Sequence, residues 1–219
     1  MATQGDALRG PLAFLADIHG NLKALDAVLL ALDDVRAAGV FVCGDLLFEG
    51  DDPLGVWKRL QAVGARCVRG TTDKALARLD PAKMPARTEA ERAALARFVS
   101  TREAVGELIL ARLDKLPEAL KLTMPGGQEW LVVHGSPRDP DEFFTHDMGE
   151  EEIEDLLADE TADVVVCGGS HVSFVRKVPG TVVVSVGSVG AAPEGRVAHF
   201  ALITPTPEGP HIEPRWVAY

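Results

Sequence analysis

The chain has 219 residues, 47% of them hydrophobic, enough for one domain of ordinary to large size with a substantial core. Its 33 acidic residues against 22 Lys and Arg give a net charge of −11, so a nucleic-acid backbone is repelled on average and non-specific nucleic-acid binding is disfavoured. A small anionic substrate stays open, because a bound metal outweighs the surface charge locally. The amino terminus, Met1 to Asp6, lacks the basic-then-apolar profile of a signal peptide, and no apolar run is long enough to span a bilayer. The expectation is a cytoplasmic protein with no membrane partner. No linker-like tract or repeat divides the chain, so residues 1–219 read as a single domain. Cys43, Cys67 and Cys167 all sit inside apolar runs and lack metal-site spacing, which suits small buried hydrophobes better than disulfides.

In chain order, the apolar run from Leu12 to Ala16 reads as a buried strand, and Leu22, Leu25, Leu29 and Leu32 mark an amphipathic helix after it. Asp17 and His19 then fall at the carboxyl end of a strand in a βα unit, where ligands bind in open α/β sheets. Two such residues in turning backbone suit one divalent metal, although an Asp near a helix start also reads as a cap. Gly39 to Cys43 is a second strand, ending in Gly44-Asp45. Asp51-Asp52-Pro53 starts a helix whose apolar face is Leu54, Trp57 and Leu60. Ala65 to Arg69 is a third strand, ending in Gly70-Thr71-Thr72-Asp73. Three strand–acid junctions in series describe the top of one parallel sheet.

From Thr88 to Leu116 the period is helical, with Leu95, Phe98, Val105, Ile109, Leu113 and Leu116 on one face and a break expected near Ser100-Thr101. Pro125-Gly126-Gly127 joins two strands, Leu120 to Met124 and Trp130 to Val133, and the second runs into His134-Gly135-Ser136. Ile153, Leu156 and Leu157 mark a short acidic helix, and Val164 to Cys167 is a strand that leads into Gly168-Gly169-Ser170-His171. Further strands follow around Val172 to Val178, Thr181 to Val186, His199 to Thr204 and Ile212 to Ala218. A parallel βα half followed by a strand-rich half predicts two sheets packed face to face with helices outside.

Strand ends thus deliver Asp17 with His19, Asp45, Asp73, His134 and His171. Each alone reads equally as a cap, a turn residue or a core histidine; the series is what calls for a metal. The context resembles the calcineurin-like metallophosphoesterases, especially the small bacterial single-domain members. The likeness is carried by D-x-H-G-N at Asp17 to Asn21, G-D-x-x-x-x-G at Gly44 to Gly50, the run Val133 to Pro140, and G-S-V-G at Gly187 to Gly190.

The resemblance implies an α/β fold, a four-layer α-β-β-α sandwich of two mixed sheets flanked by helices. It implies hydrolysis of a phosphomonoester or phosphodiester by metal-activated water, in a family that typically holds two bridged ions about 3.5–4 Å apart. Carried over by motif, Asp17, His19, Asp45 and His171 make a complete first site. The second would take Asp45 as bridge, His134, and the positions occupied here by Thr71 and Gly169, which are poor or absent ligands. Thr72 stands where many relatives carry the histidine that protonates the leaving group, and Ser185-Val186 where close relatives carry Asn-Pro. Asp45 and His134 are thereby the catalytic candidates. The expected cofactor is one tight divalent ion, manganese, iron or zinc, with a second weak or absent.

Asn21 is read as helix cap and neighbour of the phosphate site, and Arg69 and Arg138 as contacts to substrate oxygens or as partners of surface acids. His146, in an acidic loop, is a candidate to reach the depleted site or a solvated loop histidine; His199 and His211 are given no role. Two functions follow. One is a metal-dependent phosphoesterase acting on a small phosphorylated substrate. The other is a non-catalytic pseudo-phosphoesterase that binds a phosphorylated ligand or a protein partner.

Overall fold

A computed structural model of the chain describes Leu8 and residues 10–219. The segment Met1 to Asp6, on which the signal-peptide reading rests, lies outside the described residues. Among the described residues no helix is long and apolar enough to cross a membrane.

The first sheet begins with β1 (Leu12–Leu15), whose four residues are all buried, as a strand covered on both faces must be. Asn21 caps the following helix α1 (Leu22–Asp33), which lays Ala24, Leu25, Val28 and Leu32 on the sheet. β2 (Gly39–Val42) runs parallel to β1. Helix α2 (Pro53–Ala62) starts where Asp52 accepts from the Gly55 amide and Pro53 occupies the first turn. β3 (Arg66–Cys67) is shorter than the sequence suggests and pairs parallel to β2, so the first three junctions do line up along one edge.

Helix α3 (Thr71–Arg78) and a 3-10 turn at Pro81–Lys83 lead into α4 (Glu89–Asp114). The break in α4 is at Gly106 (φ 74°) and not near Ser100-Thr101. There the Ser100 hydroxyl donates to the Arg97 carbonyl at 2.9 Å, within the helix, and Thr101 is buried, so neither residue interrupts it. A left-handed φ favours glycine, which has no Cβ to clash.

The second sheet starts with the hairpin β4 (Ala119–Thr123) and β5 (Glu129–Val133), followed by α5 (Glu150–Leu157), β6 (Val164–Cys167), and the hairpin β7 (Ser173–Val178) and β8 (Thr181–Val186). Its order is β4-β5-β6-β8-β7, with the three inner strands parallel. The last strands, β9 (Val197–Thr204) and β10 (His211–Ala218), return to the first sheet, giving the order β10-β9-β1-β2-β3 with β9 antiparallel to β1.

Three apolar clusters separate four layers. One lies between α1, α2, α4 and the first sheet, and another between the second sheet and α5. The third lies between the sheets, where Phe14 stacks on Phe41 at 5.2 Å and Trp130 of the facing sheet stands 6.2 Å away. This is the α-β-β-α sandwich of the sequence reading. The cysteines are all free; Cys43 and Cys167 are buried.

Candidate metal centre

Four strands end at one place. β1 delivers Asp17 and His19, β2 delivers Asp45, β5 delivers His134, and β6 delivers His171, so both sheets contribute their carboxyl ends. To turn the side chains inward the backbone adopts left-handed φ at Asp17 (52°), His19 (49°), Asp45 (55°) and His171 (59°), a region that costs non-glycine residues energy. Hydrogen bonds hold it there. The amides of Asp17, His19 and Gly20 donate to the carbonyls of Gly44, Asp45 and Leu46, lacing the two loops together. From above, the Gly190 amide and the Ser188 hydroxyl both donate to the Asp17 carbonyl, at 2.9 and 2.8 Å, which is the structural task of the Gly187 to Gly190 segment.

All three histidines present the same atom to the centre. Nδ1 of His19 donates to the Phe48 carbonyl at 3.1 Å, that of His134 to Cys43 at 2.7 Å, and that of His171 to Ala191 at 3.1 Å. A carbonyl accepts only, so these bonds place the proton on Nδ1 and leave each Nε2 lone pair free. Nε2 of His19 and of His171 then face each other at 3.1 Å, an arrangement that asks for a cation between them. Nε2 of His134 and Oδ1 of Asp17 are buried with no hydrogen-bond partner. Leaving such a group unpaired costs on the order of 1–3 kcal/mol each, which a bound ion would relieve.

Asp17, His19 and His171 can bring one ligand atom each to within 4.8 Å of one another, and so can Asp17, Asp45 and His134. Oδ2 of Asp45 is 3.9 Å from Nε2 of His19, and its Oδ1 is 3.6 Å from Nε2 of His134, so its two oxygens look toward both groups. The donors, imidazole nitrogen and carboxylate oxygen, fit manganese, iron or zinc. Burial, and then the charge of Asp45, push the Asp17 carboxyl well above the usual carboxylate range. Burial and the neighbouring His19 lower His171, favouring the neutral imidazole that ligates.

Asp73, the third strand-end acid, is a brace. Its carboxylate accepts from the amides of Asp45, Leu46 and Gly70, each at 3.0 Å, which fixes the backbone that aims Asp45. Burial and the charge of Asp45 raise it to about 7 despite those bonds. Gly70 allows the approach: a Cβ there would lie 2.2 Å from both N and Oδ1 of Asp45.

At the second-ligand positions the hydroxyl of Thr71 is donated to Asp141 at 2.7 Å, and Asp141 also pairs with Lys74 at 3.1 Å. A Cβ on Gly169 would lie 2.1 Å from Cδ1 of Phe143, whose ring stands edge-on to His134 at 5.4 Å. Phe143 therefore fills the space beside Gly169, a role invisible to motif reading because the residue belongs to no motif. The Gly169 amide, in turn, donates to Oδ2 of Asp17 at 2.9 Å. The Thr72 amide donates to Oδ1 of Asp45 at 2.8 Å, and its hydroxyl is buried without a partner. His146 is exposed and belongs to neither ligand group.

The three residues expected as substrate contacts all have partners within the protein. Asn21 is fully engaged: Oδ1 accepts from the Ala24 amide, and Nδ2 donates to the Gly190 carbonyl and the Tyr219 hydroxyl. The guanidinium of Arg69 is buried and bound to the Asp114 carbonyl and, at 2.6 Å, to Glu118, where it ties β3 to the end of α4. Arg138 pairs with Asp155 and Glu142 at the surface, the structural alternative to a phosphate contact. His199 and His211 lie beside Glu194 and Glu213, away from the ligand groups.

Two mixed five-stranded sheets packed face to face, with an Asp/His cluster where their strands end, define the fold of the metallophosphoesterases. The chain belongs to the calcineurin-like phosphoesterase superfamily, whose domain matches residues 11–207. A hypothetical protein from Pyrococcus horikoshii OT3 superposes with a TM-score of 0.82 at 22% identity, covering 95% of this chain and 88% of that one. A metallophosphoesterase from Sphaerobacter thermophilus gives 0.72 at 22% identity, over 96% of this chain and 89% of its own. An uncharacterized protein of Methanocaldococcus jannaschii is 23% identical over 184 residues, 83% of this chain and 71% of that one.

Proposed function

We propose that the chain is a divalent-metal-dependent phosphoesterase that hydrolyses a small phosphomonoester or phosphodiester and works with one tightly held ion. The observation that carries this reading is the common tautomer: three imidazoles fixed by backbone carbonyls, with Nε2 turned toward buried carboxylates, one of which has an orphaned oxygen. A hydrophobic core has no use for that arrangement. Asp17, His19, Asp45 and His171 would hold the ion, and Asp45 and His134 would face the reacting phosphate. A divalent ion bound there supplies a Lewis acid that lowers the pKa of a water and offsets charge developing on phosphoryl oxygens.

The chain's own part is preorganisation. The Asp73 carboxylate and the Thr72 amide fix Asp45, and the Gly187 to Gly190 segment fixes Asp17, so no ligand has to be ordered on binding. The Phe143 ring dries the space beside His134 and supports a single ion. Thr72 offers no group that titrates near neutral pH, so departure of the leaving group is unassisted at that position and well-stabilised leaving groups are favoured.

Phe143 also favours the second reading, a pseudo-phosphoesterase whose depleted site binds a phosphorylated ligand without turnover. One experiment separates the two: metal content of protein purified without chelator, with manganese-dependent hydrolysis of bis(p-nitrophenyl) phosphate. About one ion per chain and activity lost in Asp45→Asn support the enzyme. Two equally tight ions reject the one-ion reading. Metal binding with no hydrolysis of mono- or diesters leaves the pseudo-enzyme.

A further inference from the structure

Beside the metal centre, between α3, α4 and the loop after β2, lies a cleft of about 330 Å³. That volume is at the lower end of the roughly 300–1,000 Å³ common for small-molecule sites. Its walls are Phe48, Ala75, Leu79, Met84, Leu95 and Phe98, with Phe48 and Phe98 in edge contact at 5.6 Å. Leu79 keeps 47% of its surface exposed, an apolar side chain left without cover at the cleft wall.

The cleft adjoins the centre through two residues. Thr72 lines it and gives its amide to Asp45; Phe48 lines it and receives the His19 proton on its carbonyl. The Thr72 hydroxyl is buried and has no hydrogen-bond partner among the described residues. No lysine or arginine lines the cleft. Its one ionisable residue, Glu91, is an acid that accepts from the amides of Arg87 and Thr88. A second phosphate, a sugar acid or a polyphosphate chain finds no counter-charge there, whereas an alkyl or aryl group meets walls that are mostly carbon.

We propose that this cleft receives the organic group of the substrate, and that the substrate is a phosphate ester carrying an uncharged apolar alkyl or aryl substituent. The inference rests on the phosphoesterase reading for the position of the phosphate. It accounts for a long helix, α4, that lines the cleft through Glu91, Ala94, Leu95 and Phe98 yet contributes no ligand to the centre.

The test compares binding of hexylphosphonate and methylphosphonate to the manganese-loaded protein by calorimetry. Turnover of the p-nitrophenyl hexyl and p-nitrophenyl methyl phosphodiesters, which share a leaving group, is measured alongside. Hexylphosphonate should bind at least about tenfold more tightly, since each methylene in an apolar pocket adds appreciably to discrimination. Leu79→Glu, and separately Ala94→Glu on the opposite wall, should remove most of that preference and leave methylphosphonate binding and methyl-ester turnover unchanged. Equal affinity for the two phosphonates, or variants that weaken both alike, overturns the proposal. If neither ester is hydrolysed while the hexyl preference and its loss in the variants persist, the cleft stands and the enzymatic reading falls.

Discussion

A Cβ on Gly169 meets the Phe143 ring at 2.1 Å and the backbone there is left-handed (φ 75°), so on the one-ion reading a second-site ligand cannot be introduced at this position by one substitution. Gly169→His alone should lower stability without adding a metal. The triple change Thr71→Asn, Gly169→His and Phe143→Ala should admit a second ion, read by metal content, and should exceed the sum of its parts because ligands act as a unit. Gly70→Ala makes the complementary test. Its methyl would collide with N and Oδ1 of Asp45 at 2.2 Å, so metal affinity should fall sharply while the circular dichroism spectrum stays that of the wild type. Asp45→Asn removes an anionic donor that faces both ligand groups, and its kcat should drop on the order of a thousandfold, since each 1.36 kcal/mol is about tenfold in rate.

At the scale of elements, α4 shapes the cleft while its stability depends on its own first turn. The Thr88 hydroxyl accepts from the Glu91 amide at 3.1 Å, and the Glu91 carboxylate accepts from the amides of Thr88 and Arg87 at 2.8 and 2.7 Å. Thr88→Ala should cost about 1 kcal/mol in denaturant unfolding. The same amides hold Glu91 below its ordinary value of 4.5. A depressed carboxyl contributes stability above its unfolded pKa and loses it as pH falls through the folded one. The stability difference between wild type and Glu91→Gln should therefore be full at neutral pH and vanish once the medium is more acidic than that depressed value; a difference that persists there rejects the assignment.

For the molecule as a whole, the two sheets bring different halves of the centre: Asp17, His19 and Asp45 from one, His134 and His171 from the other. The layer between them is apolar, with Phe14 fully buried against Phe41 and facing Trp130. Phe14→Ala should cost about 3–5 kcal/mol of stability. If sheet packing sets the centre, metal affinity should fall with it although no ligand has changed; an unchanged affinity in the folded variant shows that each sheet holds its ligands independently.

The sequence by itself determined where the strands end and which donors stand there. Alternating runs, glycine stops and the residues Asp17, His19, Asp45, His134 and His171 are local signals, readable without knowing what lies opposite. It also placed the cap at Asn21 and the helix start at Asp52-Pro53, because caps are satisfied within one turn. The tertiary structure decided what depends on neighbours distant in sequence. Arg69 read either as a substrate contact or as the partner of an acid, and Asp114 and Glu118, 45 and 49 residues on, take its guanidinium. β9 and β10 joined the first sheet, since an antiparallel strand is chosen by the edge it covers. Asp73 became a brace and not a ligand because three amides reach it first. Above all, the absence at Gly169 was legible and its filling by Phe143 was not: a missing side chain is a fact of one position, whereas the space it leaves belongs to whichever part of the fold packs into it.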